Sequence, residues 1–136
     1  MAGIVNSEGI ERAKPEFIGG LLHRRIRLRP DEFVVKYSGS RFATIWGLAL
    51  GRLFLTNQRI VWCPLLVASL SRAKSIDLSD ITDVGVLRES NMLVPGSWYV
   101  RTKCKAHEIE SVQDFWGGAK PEEWVATVRS AIKALI

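Results

Sequence analysis

Cysteine and histidine are scarce in this chain, and their placement removes most metal and redox chemistry from consideration. Cys63 and Cys104 stand far apart, with no Cys-x-x-Cys and no Cys/His cluster, so neither a zinc site nor a disulfide framework is spelled out. Each lies in an apolar-rich alternating stretch and is expected as a buried free thiol, in keeping with a reducing interior. His23 and His107 are the only histidines. His107, between Ala106 and Glu108, reads as a solvated loop residue rather than a general base. No Gly-rich phosphate loop and no Gly-x-Ser-x-Gly occurs. Asp77, Asp80 and Asp83 recur every third residue without the glycine that a calcium loop requires. Nothing places a nucleophile beside a base. No catalytic residue, metal ligand, cofactor or small-molecule substrate is therefore expected.

Long hydrophobic runs are also missing. The most apolar stretch, residues 42–55, contains Arg52 and is too short to span a bilayer. Residues 1–8 lack the charged start and apolar run of a secretory signal. The expectation is a cytoplasmic protein. At 136 residues the chain fits one domain with a real core. Its net charge of +5 leans toward anionic partners.

What is present divides into three parts. Residues 1–30 read as an N-terminal leader, in which Pro15, Gly19 and Gly20 interrupt any long helix. Within it, Arg25, Arg27 and Arg29 alternate with Ile26 and Leu28, so a strand here would put the three arginines on one face. Residues 31–136 read as the domain proper. Its first four-fifths alternate with period two. Leu53 and Leu55 interleave with Phe54, Ile60 and Trp62 with Val61, and Ile76 and Leu78 with Asp77. Trp98, Val100, Thr102 and Cys104 form another such series. Turn signals fall at Ser38-Gly39-Ser40, Asn57-Gln58, Ser79-Asp80 and Pro95-Gly96. Asn57-Gln58 joins two strong strands so tightly that a hairpin follows, with Asn57 suited to positive φ. Asp80 is expected to bond nearby amides.

The end is helical. Pro121 suits a first helical position, Glu122 and Glu123 suit the positive end of the dipole, and Lys133 suits the negative end. Trp124, Val128, Ala131, Ile132 and Leu135 make one apolar stripe. About seven strands and one amphipathic helix, residues 121 to about 135, predict a mainly β architecture. It is a strongly bent antiparallel sandwich or partly open barrel, capped by the helix.

Three segments together resemble a known family. Gly51-Arg52-Leu53-Phe54-Leu55-Thr56-Asn57-Gln58-Arg59-Ile60-Val61-Trp62 is similar to the strand-turn-strand of GRAM and bacterial pleckstrin-homology-like domains. Ser75-Ile76-Asp77-Leu78-Ser79-Asp80-Ile81-Thr82-Asp83-Val84 resembles their following strand, and Pro30-Asp31-Glu32-Phe33-Val34-Val35 their opening. The resemblance covers roughly residues 30–135. It implies a non-catalytic binding module with ligands at the open end of the sandwich, held by loops after strands one, three and six. On this chain those loops carry Lys36 and Arg41, Arg72 and Lys74, and Lys103 and Lys105. The implied partner is an anionic membrane surface, with Trp46, Leu48 and Leu50 as apolar anchors and a location peripheral to the membrane. The residues leave an alternative open. Leu65, Leu66 and Val67, with Trp46 and Leu48, supply more apolar surface than a small sandwich needs, which points to a protein partner or a homo-oligomer. Nucleic acid is the weakest reading, because the basic strip at residues 24–29 lacks interleaved exposed aromatics.

Overall fold

The computed structural model describes residues 17–20, 23–44, 47–65, 72–89, 95–111 and 120–135. Nine strands precede one helix among them: β1 (Phe17–Gly20), β2 (His23–Arg27), β3 (Val34–Thr44), β4 (Gly47–Thr56), β5 (Arg59–Pro64), β6 (Lys74–Asp77), β7 (Ile81–Arg88), β8 (Ser97–Thr102), β9 (Ala106–Ser111) and α1 (Pro121–Lys133). A single 3-10 turn, Leu78–Asp80, links β6 to β7. Seven strands form one antiparallel sheet in the order β6-β5-β4-β3-β9-β8-β7. The mainly β architecture with a C-terminal helix is the one expected.

The period-two series face inward as read. Leu53, Leu55, Ile60, Trp62, Ile76, Trp98, Val100 and Ile109 form one core with Phe42, Leu78 and Val84. Helix α1 closes it with Trp124, Val125 and Val128. The Trp124 and Trp98 rings stack at 5.6 Å, and the Trp124 Nε1–H donates to Ser38 Oγ at 3.0 Å. Pro121 opens the helix, Glu122 and Glu123 occupy its first turn, and Lys133 its last.

The opposite parity is also covered on two strands. Phe54, Val61 and Cys63 point away from the main core and are buried with Ile18 of β1, against Ile26, Leu28 and Val34. β1 and β2 pair as a small hairpin laid across this outer face. Arg25, Arg27 and Arg29 are exposed while Ile26 and Leu28 between them are half-buried, which is the expected alternation.

A buried ion pair fastens this layer. Arg59 donates from Nε to Glu32 Oε2 at 2.8 Å and from an Nη to Oε1 at 3.0 Å. Thr56 Oγ1 donates to the same carboxylate at 2.6 Å, and the Arg29 amide at 2.7 Å. A second Arg59 Nη bond reaches the Arg27 carbonyl at 2.7 Å. Asn57 Oδ1 accepts from the Phe33 amide, Asn57 Nδ2 donates to Asp31 O, and Gln58 Nε2 donates to Pro30 O. Thr56-Asn57-Gln58-Arg59 is thus a clasp on residues 27–33.

The structure corrects several local expectations. Positive φ falls on Asp31 (61°), not on Asn57, whose side chain does its work through hydrogen bonds. Ser38-Gly39-Ser40 is no turn. It lies within β3, which pairs with β4 from Val34 to Thr44. Within it Ser38 accepts the Trp124 indole N–H of the helix. The carboxylate that accepts a neighbouring amide near the 3-10 turn is that of Asp83, from Val84, rather than Asp80. Cys63 is buried as expected, but Cys104 is exposed, because β8 ends at Thr102 and leaves it in a turn. Gly51 has a steric reason: a Cβ there would stand 2.6 Å from Cys63 O and 2.7 Å from Trp62 Nε1.

Candidate functional site

The sheet does not close. β6 and β7 are its two edges, joined only by the 3-10 turn, and the seam beside that turn opens into a cavity of about 620 Å³. β6 contributes Lys74, Ser75 and Ile76, the turn contributes Ser79 and Asp80, and β7 contributes Thr82. The facing wall is the β8–β9 connection, Thr102 to Lys105, together with His107 of β9.

Local hydrogen bonding sets that wall. The Thr102 amide donates to Lys105 O at 2.9 Å. Thr102 Oγ1 accepts from the amides of Cys104 and Lys105 at 3.3 and 3.4 Å. This tight turn holds Lys103 and Lys105 at the cavity. Lys74 enters from the other side, on the edge strand β6, where its register partner is Trp62, an inward residue of the core. Three lysines against the single carboxylate of Asp80 make the lining net positive.

His107 completes it. It pairs with Val100 across the ladder, so it shares the inward face, and its ring centroid is 5.7 Å from that of Phe42. Burial first, then the charges of Lys105 and Lys74, hold its pKa below the usual histidine value. The expectation of a solvated loop histidine is therefore corrected: the residue is half-buried in a strand. Counting by two from the buried Ile109 was the signal that could have found it.

The six basic residues singled out in the sequence do not all meet. Lys74, Lys103 and Lys105 line the cavity. Arg72 is exposed two residues before Lys74 and is not part of the lining. Lys36 and Arg41 are strand residues rather than loop residues, because the β3–β4 ladder runs on through both. Lys36 Nζ sits over the Trp124 ring at 5.6 Å. Arg41 lies on the outer face and pairs with Glu110 at 2.6 Å, which Arg88 also reaches at 3.3 Å.

Of the apolar candidates, Leu65 is half-buried and its amide donates to Leu50 O. Leu48 lies in β4. Trp46, Leu66 and Val67 fall outside the described residues. Leu50 of β4 is exposed, and exposed apolar side chains also stand around the start of β3, at Phe33, Val35 and Tyr37, and on β7, at Val86 and Leu87. Among the described residues no group of three His, Cys, Asp or Glu could hold a metal ion, and no helix is long and apolar enough to cross a membrane.

The family model for the GRAM domain matches residues 20–114, which is more than half of the chain. The chain belongs to the GRAM domain family. Among solved structures, this GRAM domain is similar to a Vps36 N-terminal PH domain, with a TM-score of 0.62 and 15% identity over 82% of this chain and 86% of that one. It is also similar to the C-terminal domain of an unknown protein from Leishmania infantum, with a TM-score of 0.55 and 14% identity over 76% of this chain and 86% of that one. At these identities the likeness is one of fold. A search of curated proteins finds no match. GRAM and pleckstrin-homology-like domains are generally non-catalytic modules, often for membrane or protein binding.

Proposed function

We propose that this GRAM domain is a non-catalytic module that docks on anionic membrane lipid headgroups through the seam between β6 and the β8–β9 turn. It acts as a peripheral protein on the cytoplasmic face. One observation carries the reading: Lys74, Lys103 and Lys105, from separate parts of the chain, converge on one cavity with a single opposing carboxylate. Lysine ammonium groups there can make charge-assisted hydrogen bonds to phosphate oxygens, and each is worth about 1 kcal/mol near an anionic leaflet. Arg72, just outside the cavity, extends the basic edge toward the same surface.

The test is sedimentation with phosphatidylcholine vesicles, with and without phosphatidylserine, at low and high salt. Binding should require the anionic lipid and weaken with salt. Lys74→Glu combined with Lys103→Glu should lower it several-fold while leaving thermal unfolding nearly unchanged, because exposed charges contribute little to stability. Arg25→Glu with Arg27→Glu is the control for the outer hairpin. If only that control loses binding, the seam is not the docking site.

A second reading, protein binding or self-association, is favoured by the strip at the start of β3. Phe33, Val35 and Tyr37 are 60%, 48% and 58% exposed, and the Arg52 guanidinium lies 5.9 Å from the Tyr37 ring. Aromatic residues and arginine are the types enriched at interface hot spots. A protein that ignores vesicles and loses a dimeric light-scattering mass on Tyr37→Glu would favour this reading.

A further inference from the structure

Histidine is the side chain whose ordinary charge change falls between about pH 5 and 8, and one lines the seam. His107 has core on one side, at Phe42, and the cavity on the other. The groups facing it come from every element around the opening. Lys74 projects from β6, and Asp80 with Ser79 from the 3-10 turn. Thr82 comes from β7, and Lys103, Cys104 and Lys105 from the β8–β9 turn. Phe42 of β3 is uncharged. Its nearest charges are therefore cations, and with burial they keep the imidazole neutral at neutral pH.

We propose that His107 is a fourth, proton-gated cationic contact of this site, so that an anion held by Lys74, Lys103 and Lys105 binds together with a proton. The inference rests on the lysine-lined seam as an anion site, and adds to it a residue and a dependence on pH. The physical step is linkage. An anion seated among the lysines cancels the repulsion that discourages a charge on His107, and it offers an acceptor for the new N–H. Proton affinity rises when the anion binds, so anion affinity must rise when the proton binds. The sign follows: binding tightens as pH falls, and at high pH the lysines act alone. The gain is roughly tenfold for each pH unit by which the bound pKa exceeds the free one. Such a module would favour anionic surfaces next to acidified fluid over the same surfaces at neutral pH.

Two measurements on the full chain test this. Phosphatidylglycerol vesicles are suited to the first, because a phosphodiester keeps one negative charge throughout the range. From about pH 8 to about pH 5, the unmodified protein should bind them progressively more tightly. His107→Gln should bind like the unmodified protein at the upper pH and gain little on acidification. Equal pH dependence in the two proteins overturns the proposal. The second measurement needs no substitution and so survives a variant that fails to fold. The His107 imidazole is titrated by NMR alone and with sulfate, a free dianion of constant charge. Sulfate should raise its pKa, and Lys74→Gln with Lys103→Gln should abolish the rise. A His107 titration unmoved by sulfate sinks the proton coupling even if vesicles bind. A titration that moves while vesicles are ignored at every pH keeps the coupled anion site and rejects the membrane reading instead.

Discussion

The buried pair of Glu32 and Arg59 should dominate the stability of the outer layer. Their side chains are 0% and 7% exposed, and the carboxylate takes four hydrogen bonds: two from Arg59, one from Thr56 and one from the Arg29 amide. Glu32→Gln keeps the shape and removes the charge, leaving a guanidinium buried without its counter-ion. Breaking one partner of a buried pair costs about 3–5 kcal/mol, a large part of the roughly 5–15 kcal/mol that holds a domain together. Arg59→Leu should cost as much, since it strands the carboxylate. The double variant Glu32→Gln with Arg59→Leu should lose less than the sum of the singles, because no charge remains uncompensated. Urea denaturation of the four proteins reads the cycle. Single variants within about 0.5 kcal/mol of the unmodified protein, the range of ordinary surface changes, would refute the reasoning. Acid should tell the same story. Burial pushes the Glu32 carboxyl up, but Arg59, the Arg29 amide and Thr56 together outweigh it and hold the pKa below its ordinary 4.5. A folded-state pKa below the unfolded one gives stability that is present above about pH 4.5 and lost as pH falls through the folded value. Glu32→Gln should flatten that acid limb.

Trp124→Ala should destabilise by about 3–5 kcal/mol, the usual range for a buried aromatic. It also frees Ser38 Oγ of its donor, and an unmoved denaturation midpoint would mean the helix is not docked by this ring. Gly51→Ala should cost about 1–3 kcal/mol, because the new methyl meets the backbone of Cys63 and Pro64 as well as the Trp62 ring; a neutral result in thermal unfolding would contradict that crowding. The two thiols should differ sharply. Burial pushes the Cys63 thiol up to about 12, while Cys104 is exposed. Brief alkylation at neutral pH followed by peptide mass mapping should label Cys104 alone, since the thiolate is the reactive form.

The main sheet was legible because its signals are local. The hairpin at Asn57-Gln58 needs only two alternating strands and a two-residue turn. The helix announces itself by Pro121, its first-turn acids and its stripe. Of the outer hairpin only the alternation at residues 25–29 is legible, because its partner surface lies far away in sequence. A hint did exist. β5 runs Ile60-Val61-Trp62-Cys63, apolar on both parities and buried throughout, which marks a strand covered on two faces. A second layer had to come from somewhere, and the apolar positions Ile18, Ile26 and Leu28 supply it. Lys36 and Arg41 were misplaced for a related reason. Serine and glycine favour turns, yet residues 38–40 continue the ladder with β4, and Ser38 accepts a hydrogen bond from Trp124, so tertiary contacts override the local preference.

The candidate site follows from what the fold cannot do. Seven strands in this order leave two edges, β6, only four residues long, and β7, which follow one another across the 3-10 turn without pairing. An unclosed edge leaves backbone groups needing water or a polar partner, and exposed edges are commonly guarded by lysine. Lys74 and the lysines of the β8–β9 turn stand at this opening, so the same residues that keep the edge solvated also give it positive charge. Guarding alone would be served by long side chains spread outward into solvent. It gives no account of a histidine turned inward beside two lysines, with Phe42 behind it. That arrangement costs the imidazole its easy protonation and returns nothing to the core that a leucine would not supply. Under the proposed coupling an incoming anion reverses that cost, so His107, rather than the lysines, is the residue whose behaviour distinguishes a binding seam from a merely protected edge.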